Sequence, residues 1–200
     1  MIRLMLIFLL VFLSALPARA DDARWLANLR QEALQAGISG SLFDMALANF
    51  TPNPRVIQLD RRQPEKTISF LQYRRNVINQ RRIDQGRELR RQHALLLQRV
   101  EAHYGVDGNI LLALWGMESS FGANMGNFSV VNSLASLAHD GRRQRFFRDE
   151  LIAALQILQA GDSTLGDLRS SWAGAMGQNQ FMPSSYLRYA VDADGDGKRN

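Results

Sequence analysis

The spacing of apolar residues predicts helices along almost the whole chain. Apolar side chains recur three and four residues apart, and no apolar–polar alternation is long enough to predict a strand. Glycine or a capping residue, such as Ser41 before the second helix, borders most of these stretches. The predicted helices cover Trp25 to Ala36, Leu42 to Ala48, two helices between Thr67 and Tyr104, one that carries Glu118, Asn132 to Ala138 and Phe146 to Gln159. We therefore predict a mainly α fold.

Prolines and one change of composition divide this helical chain. Pro52, Pro54 and Pro64 interrupt the helical pattern in the first half. Near Gly105 a charged, arginine-rich half gives way to a half that is rich in glycine, serine and aromatic residues. We therefore predict a domain boundary there, between an N-terminal helical region over 21–104 and a second domain over 105–200.

The first 20 residues have the features of a secretory signal peptide. Arg3 precedes an apolar stretch that ends at Leu16, and Ala18-Arg19-Ala20 is a typical cleavage site. The stretch is shorter than the about 20 apolar residues that span a membrane, which disfavours a membrane anchor. We predict cleavage after Ala20 and export to the periplasm.

Composition and charge narrow the chemistry further. The chain has 200 residues and no cysteine, so we expect no disulfide, no thiolate nucleophile and no lipid anchor on cysteine. The net charge is +5, and many arginines occur in pairs, as is typical of solvated helix faces. A basic chain suits a polyanion such as nucleic acid. Export disfavours that partner, so we predict no nucleic-acid partner.

A single glutamate stands at the end of the most apolar predicted helix. The sequence ALWGMESSFG places Glu118 on the same helix face as Leu111 and Leu114. If that face is buried, the carboxylate is buried with it, and burial favours the protonated form that a general acid needs. The alternative is a core glutamate paired with an arginine. Glu118 is therefore our candidate catalytic residue.

A loop-like segment near the C-terminus combines polar amides, small residues and aromatic rings. Its hydroxyl and amide groups can hydrogen-bond sugar hydroxyls or acetamides, and its rings can cover a sugar face. The alternative is a turn that serves helix packing. We interpret the segment as part of a carbohydrate-binding cleft. Its candidate residues are Ser171, Trp172, Gln178, Gln180, Phe181 and Tyr186.

The last residues match the first half of a calcium-binding loop. In DADGDGKRN, the three aspartates Asp192, Asp194 and Asp196 take the first three ligand positions, and a glycine supplies the sharp turn. Lys198 would add a backbone carbonyl and Asn200 a further ligand, whereas the final bidentate acid would come after residue 200. The alternative is a solvated acidic turn. We expect a structural Ca²⁺ site whose loop is incomplete in this chain.

Four stretches resemble the B-type lytic murein transglycosylases, glycoside hydrolase family 103. They are RRQPE (61–65), WGMESSFG (115–122), DGRRQRFFRDEL (140–151) and SWAGAMGQNQFMPSSYLRYAVDADGDGKRN (171–200). The resemblance covers most of residues 22–200. It implies a lysozyme-like catalytic core over 105–200 with additional N-terminal helices. It also implies truncation at the C-terminus, because the family's calcium loop is completed further along.

The resemblance also assigns roles to particular residues. Glu118 matches the family's sole catalytic acid and base. Asn179 departs from the residue usual at its position, a change that we expect to be tolerated. The substrate-binding positions are matched by Ser171, Gln180, Phe181, Tyr73, Arg142, Arg143 and Phe146, and the calcium loop by Asp192, Asp194, Asp196, Lys198 and Asn200.

The activity implied by the resemblance is cleavage of the β-1,4 bond between MurNAc and GlcNAc in peptidoglycan. The product carries a 1,6-anhydroMurNAc end, and no water is added. One carboxylate suffices when the substrate's own N-acetyl group assists. The implied partners are peptidoglycan glycan strands and cell-wall enzyme complexes, and we expect a monomer. The alternatives are a lysozyme-type peptidoglycan hydrolase and a non-catalytic peptidoglycan- or calcium-binding module.

Overall fold

The computed structural model describes residues 16–62 and 69–199, with side chains from residue 21 onward. This part of the chain forms helices and one small sheet, which confirms the predicted mainly α class. The helices are α1 (Leu16–Gln35), α2 (Gly40–Leu47), α3 (Pro54–Arg61), α4 (Phe70–Val77), α5 (Gln80–Gln92), α6 (Ala94–Tyr104), α7 (Gly108–Ser119), α8 (Val130–Asp140), α9 (Gln144–Ala160) and α10 (Pro183–Tyr189). The strands are β1 (Phe128–Ser129) and β2 (Arg169–Ser170).

The segment between Phe70 and Tyr104 holds three helices, whereas its spacing predicted two. Asn79 begins α5, because its side chain accepts a hydrogen bond from the backbone N–H of Arg82 at 3.0 Å. His93 then lies between α5 and α6 with φ −104° and ψ 20°, outside the regular helical region. Local capping and one irregular residue thus divide a stretch whose apolar spacing alone looks continuous.

Capping residues also explain the two helices before this segment. Ser39, rather than the predicted Ser41, caps α2, and its hydroxyl accepts a backbone N–H three residues on. The helix α3 was not predicted, because the prolines around it were interpreted as breaks. Asn53 caps α3 and Pro54 occupies its first turn, where the missing proline N–H is not needed. Two other predicted boundaries, Pro64 and Thr67, lie outside the described residues.

The chain divides into two compact units, up to residue 48 and from residue 49 onward. In the first, α1 packs on α2, and Arg30 Nε lies 2.7 Å from Asp44 Oδ1. In the second, α7 contacts both α5 and α6, so the boundary predicted near Gly105 falls inside this unit and stays a prediction. Residues 1–15 of the predicted signal peptide lie outside the described part. Within that part, no helix combines the length and the hydropathy needed to cross a membrane.

The core of the second unit is the pair of helices α8 and α9. Leu134 and Ala138 of α8 and Leu151 and Leu155 of α9 are completely shielded from solvent. Burying a leucine side chain contributes about 1.5–3 kcal/mol relative to leaving it exposed. Helix α3 packs against α8, and helix α10 packs against α9. The apolar pair therefore provides the base on which the neighbouring segments are arranged.

A small sheet joins the segments that follow α7 and α9. Its two strands are antiparallel, with Phe128 opposite Ser170 and Ser129 opposite Arg169. Single backbone bridges extend the pairing from Ser170 to Met176 and from Met176 to Phe181. Gly126 has φ +84°, and a Cβ atom added to it would lie 2.0 Å from the carbonyl oxygen of Ser170. Only glycine fits here, because both the backbone angle and the close approach exclude a side chain.

Candidate active site

Glu118 is the next-to-last residue of α7. As predicted, Asp107 caps the start of this helix, and its carboxylate accepts the N–H of Asn109 at 2.6 Å. The predicted burial of Glu118 is wrong, because Glu118 is exposed and Leu114 on the same face is 47% exposed. The helix instead buries a face that contains small residues and leaves the carboxylate accessible to a ligand. The buried face consists of Gly108, Leu112, Gly116 and Ser119.

The turn that follows Glu118 has an uncommon backbone. Ser120 and Phe121 are both left-handed, with φ 51° and 58°, a conformation that costs a non-glycine residue about 1–3 kcal/mol. The Phe121 ring packs on Gly116, where an added Cβ would lie 2.7 Å from the ring atom Cζ. The buried hydroxyl of Ser119 accepts a backbone N–H three residues on at 2.9 Å. Packing and hydrogen bonding therefore hold this strained turn behind Glu118.

Contacts connect α7 and the residues that follow its turn with the segment 171–181. Trp115 Nε1 donates a hydrogen bond to Gln178 Oε1 at 2.7 Å. Gln180 Nε2 donates to the carbonyl oxygen of Met125 at 3.2 Å. The backbone of Gly126 also lies close to the backbone of Ser170 in β2. The structure thus brings the end of α7 together with the predicted sugar-binding segment.

Ser171, Gln180 and Phe181, the three residues of this segment that the resemblance matches to substrate-binding positions, are half-buried. Ser171 Oγ accepts a backbone N–H four residues on at 3.3 Å. Gln180 has a left-handed backbone with φ 50°, and its amide also donates to the carbonyl of Gly177 at 2.9 Å. Phe181 exchanges both backbone hydrogen bonds with Met176. The segment is therefore shaped largely by its own hydrogen bonds before any ligand binds.

Arg142 and Arg143 precede α9 and have different surroundings. Arg142 forms a bidentate pair with Asp60, with Nε 2.7 Å from Oδ2 and Nη2 2.6 Å from Oδ1. The hydrogen bonds to Asp60 raise the pKa of the Arg142 guanidinium above its ordinary value. Arg143 instead lies over the ring of Phe146, 4.4 Å from its centroid. Asp60 fixes the orientation of Arg142, while Arg143 remains exposed beside an aromatic ring.

Sequence reasoning missed Asp60, which is 2% exposed. It lies four residues after Val56, the other buried residue of α3, so the two share one helix face. That signal would have been available once α3 was predicted. It would still have left the partner unknown, because Arg142 lies 82 residues further along the chain.

Tyr73 lies on α4 and is 48% exposed. Among the described residues, no hydrogen bond, ion pair or ring contact joins Tyr73, Arg142 or Arg143 to the turn after Glu118. The helices α4, α5 and α7 border an apolar groove of about 340 Å³, which Met117 and Phe121 line and neither Tyr73 nor Glu118 lines. The contacts of α7 and of the residues after its turn therefore reach the segment that carries Ser171, Gln180 and Phe181, whereas no contact described above brings the other predicted binding residues there.

The aspartates of the predicted calcium loop converge. Asp192, Asp194 and Asp196 each offer a carboxylate oxygen, and these oxygens lie within 4.8 Å of one another. Asp192 accepts backbone N–H groups, foremost that of Gly197 at 2.9 Å, and these bonds lower the pKa of its carboxyl group. Such ionised oxygens fit a hard cation such as Ca²⁺. Lys198 belongs to the same loop through its N–H, which donates to Asp196 at 2.8 Å, and Asn200 lies outside the described residues.

The buried acidic side chains of the described residues do not include Glu118. Among the described residues, the buried carboxylates are Asp60 and Glu150, which are 2% and 5% exposed. Glu150 Oε2 accepts the N–H of Ser184 at 2.9 Å, and Oε1 accepts its hydroxyl at 2.6 Å. Glu150 thereby satisfies donors at the start of α10, as Asp60 satisfies Arg142. Both buried acids satisfy donors within the fold, so burial does not single out Glu118.

Comparison with known proteins identifies the family. The sequence profile of the transglycosylase SLT domain matches residues 21–200. The chain belongs to the transglycosylase SLT family. The membrane-bound lytic murein transglycosylase B of Escherichia coli (strain K12) is 36% identical to this SLT chain over 133 residues, which are 66% of this chain and 37% of that protein.

Solved structures place this SLT chain among the B-type lytic transglycosylases. SltB3 from Pseudomonas aeruginosa, in complex with NAG-NAM-pentapeptide, is 47% identical with a TM-score of 0.85, over 89% of this chain and 48% of that one. The Escherichia coli lytic transglycosylase Slt35 in complex with calcium is 30% identical with a TM-score of 0.78, over 88% of this chain and 56% of that one. The predicted resemblance and the lysozyme-like fold are therefore confirmed. The SLT chain spans roughly half the length of these relatives.

Proposed function

We propose that this chain is a lytic transglycosylase that cleaves the bond between MurNAc and GlcNAc in peptidoglycan and leaves 1,6-anhydroMurNAc ends. The observation that carries the proposal is the exposed Glu118 at the end of α7, a helix whose Trp115 is hydrogen-bonded to Gln178 of the segment 171–181. SltB3, which is 47% identical, has been solved both with NAG-NAM-pentapeptide and with NAG-anhNAM-pentapeptide. The second of these ligands contains the anhydro sugar.

The proposed mechanism uses Glu118 first as an acid and then as a base. The protonated carboxyl group donates its proton to the glycosidic oxygen, and the bond from that oxygen to C1 of MurNAc breaks. The carbonyl oxygen of the MurNAc N-acetyl group bonds to C1 and forms an oxazolinium ion. The Glu118 carboxylate then removes the proton of the C6 hydroxyl, whose oxygen bonds to C1 while the oxazolinium opens. The nucleophile belongs to the same sugar, so its effective concentration exceeds that of water.

The remaining predicted residues bind the substrate. Ser171, Gln180 and Phe181 face the sugars, because they lie on the segment that is hydrogen-bonded to α7 and to the chain after it. Arg142 and Arg143 bind carboxylates of the peptide stems, a task that suits guanidinium groups. Two aromatic rings complete the set by packing on the substrate, and they belong to Tyr73 and Phe146.

Analysis of released muropeptides by mass spectrometry tests this proposal. Purified peptidoglycan is incubated with the mature chain, with Glu118→Gln and with the control Glu88→Gln, which changes an exposed glutamate on α5. We expect anhydroMurNAc products from the parent chain and the control. Loss of the acid–base group should lower their rate of release by on the order of 100-fold or more.

Each other outcome of this experiment selects a different function. Products with reducing ends would mean that water attacks C1, as in a lysozyme-type hydrolase. Binding to the wall without any release would favour a non-catalytic peptidoglycan-binding module. Unchanged release by Glu118→Gln would contradict the assigned role of Glu118.

Calcium in this proposal is structural. Asp192, Asp194 and Asp196 hold the ion together with the Lys198 carbonyl and Asn200, and the ion would add charge stabilisation to the loop. The support is the convergence of the three carboxylates and the calcium complex of Slt35. The loop is anchored beyond the aspartates, because Arg199 Nη2 lies 2.6 Å from Asp162 Oδ2. Calcium therefore stiffens the chain after α10 and takes no part in the reaction.

Thermal unfolding at increasing Ca²⁺ concentration tests the metal site. At 100 times the dissociation constant, binding to the folded state adds about 2.7 kcal/mol and raises the melting temperature. Asp194→Asn should remove most of this shift. The control Asp149→Asn, an exposed acid on α9, should keep it. Equal shifts in all three proteins would contradict the site.

The proposal also covers the place of action. The chain is exported, cleaved after Ala20, and acts as a monomer in the periplasm on glycan strands, within cell-wall enzyme complexes. Residues 21–104 form the additional N-terminal helices, and residues 105–200 form the catalytic core. N-terminal sequencing of the protein from a periplasmic extract should begin at Asp21, and light scattering should give the monomer mass. A cytoplasmic product that retains Met1 would contradict export.

A further inference from the structure

We propose that Trp115 and Gln178 form a positioning pair that sets the place of the Glu118 carboxylate relative to the sugar-binding segment. The inference rests on the function proposed above and adds two residues to it. Trp115 precedes Glu118 by three residues in α7, and Gln178 precedes Gln180 by two. The hydrogen bond from Trp115 Nε1 to Gln178 Oε1, 2.7 Å long, spans 63 residues of sequence. It therefore links the element that carries the acid with the segment that carries the sugar ligands.

The indole of Trp115 is held in one orientation by two neighbouring rings. Its centroid lies 5.5 Å from that of Phe121 at an interplanar angle of 86°, and 6.0 Å from that of His93 at 64°. Both are edge-to-face arrangements, which aromatic pairs favour. The direction of the indole N–H is thus fixed before Gln178 accepts from it.

The backbone around Gln178 is arranged for this contact. A Cβ atom added to Gly122 would lie 2.7 Å from Gln178 Oε1, so the absence of a side chain lets the amide reach Trp115. On the other side, Gln180 Nε2 donates both to the carbonyl of Gly177 and to that of Met125. The loop on either side of Gln178 is therefore fixed to itself and to the chain that follows α7.

The pair acts on catalysis through the strained turn after Glu118. Ser120 and Phe121 keep their left-handed backbone only as long as their surroundings hold it. Without the bond to Gln178, the last turn of α7 can relax and carry Glu118 away from the scissile bond. A displacement of about 1 Å can lower a rate by on the order of 100-fold. Gln178 Oε1 already accepts from Trp115, and Ser171, Gln180 and Phe181 are retained, so substrate affinity changes little.

A double-mutant cycle in steady-state kinetics tests the pair. The variants are Trp115→Phe, which removes the N–H donor and keeps a ring, Gln178→Ala, and the two combined. The substrate is a soluble NAG–NAM oligosaccharide that bears pentapeptides. We expect each single change to lower kcat by on the order of tenfold with KM nearly unchanged. The double variant should be no slower than the slower single variant, because both changes remove one shared bond.

Further variants separate positioning from a general loss of stability. Gln178→Glu keeps an oxygen acceptor at the same place and should restore kcat to within about twofold of the parent. Asn179→Ala, an exposed neighbour in the same loop, should leave both kinetic constants and the melting temperature unchanged. A merely structural role would lower the melting temperature of Gln178→Ala and leave kcat of the folded protein intact.

The outcomes distinguish the failure of this pair from the failure of the proposed function. If the effects on kcat multiply in the double variant, or if only KM rises, the pair does not position Glu118. If all pair variants match the parent while Glu118→Gln is inactive, the positioning role alone is overturned. If Glu118→Gln keeps the parent kcat, the function proposed for Glu118 fails first, and the pair has no carboxylate to position.

Discussion

Two groups of helices in the same compact unit differ in how much they bury their side chains. The first group is the pair α8 and α9, and the second is α4, α5 and α6. The pair α8 and α9 has eight buried residues in each helix. Helices α4, α5 and α6 have no buried residue, and Phe70 and Leu95 are 73% and 77% exposed. Helices α4, α6, α8 and α9 all show apolar residues at helical spacing. The spacing therefore predicts where a helix forms, but not whether that helix belongs to the core.

The exposed helices rely on polar contacts instead. In α5, hydrogen bonds from Gln92 and Arg91 lower the pKa of Glu88, and Arg90 Nη1 donates to Asn109 Oδ1 of α7 at 2.6 Å. Because the folded pKa of Glu88 is lowered, its contribution is present above the unfolded pKa and is lost as the pH falls through the folded value. Water and salt screen such exposed pairs. The stability of the unit therefore depends chiefly on α8 and α9.

The largest expected effect tests this contrast directly. Leu151→Ala removes a completely buried side chain from α9 and should lower the free energy of unfolding by about 2–5 kcal/mol. The matched control Leu95→Ala removes the same atoms from an exposed position and should change it by less than about 0.5 kcal/mol. Urea unfolding followed by circular dichroism measures both. Similar losses in the two variants would show that α6 is as well packed as α9.

The second prediction concerns the contact between the turn after α7 and the sheet. Gly126→Ala places a Cβ atom against Ser170 at a left-handed residue, and the clash and the strain together should cost about 2–4 kcal/mol. Gly161→Ala is the control, because Gly161 has a similar φ of +82° but no atom near its added Cβ. It should cost only about 1–2 kcal/mol in thermal unfolding. Equal costs would mean that the backbone at Ser170 can shift easily to make room for the added Cβ atom.

Much of the fold could be predicted because helix formation is local. The Asp107 cap and the apolar residues after it lie within one short stretch, and the structure has that helix and that cap. The helix α3 was missed because Pro54 was interpreted as a break rather than as a first-turn residue. The sequence also could not separate Leu95 from Leu151, because burial depends on partners that are distant along the chain.

Some residues of the candidate site could be predicted and others could not, again because of their separation along the chain. Asp192 and Asp196 stand in one contiguous motif, so spacing alone brought them together. Glu118 was singled out partly by an expected burial that is wrong, and the resemblance then supported it. The partners of Asp60 and Glu150 could not be predicted, because they lie 82 and 34 residues away in sequence. Contacts of that kind become visible only once the helices are packed.

The third prediction tests whether the buried pair α8 and α9 also organises the end of the chain. Glu150→Gln removes the charge that accepts both donors of Ser184, and it should cost about 1–2 kcal/mol. Amide hydrogen exchange should show faster exchange in α10 and little change in α8. The exposed control Glu88→Gln should leave α10 protected. Unchanged exchange in Glu150→Gln would mean that apolar contacts alone hold α10 on α9.

The smallest expected effect concerns Gly86 in the exposed helix α5. Gly86→Ala in α5 gains about 1 kcal/mol of helix propensity, but the added Cβ lies 3.3 Å from Phe121 Cζ. The Phe121 ring is also packed on Gly116 and against Trp115, so it can give way only a little, and we expect a net change below about 0.5 kcal/mol. A full gain of about 1 kcal/mol would mean that the ring moves freely and that α5 is loosely packed on α7. A loss above about 1 kcal/mol would instead mean that the turn after Glu118 is as rigid as the core, although the helix beside it has no buried residue.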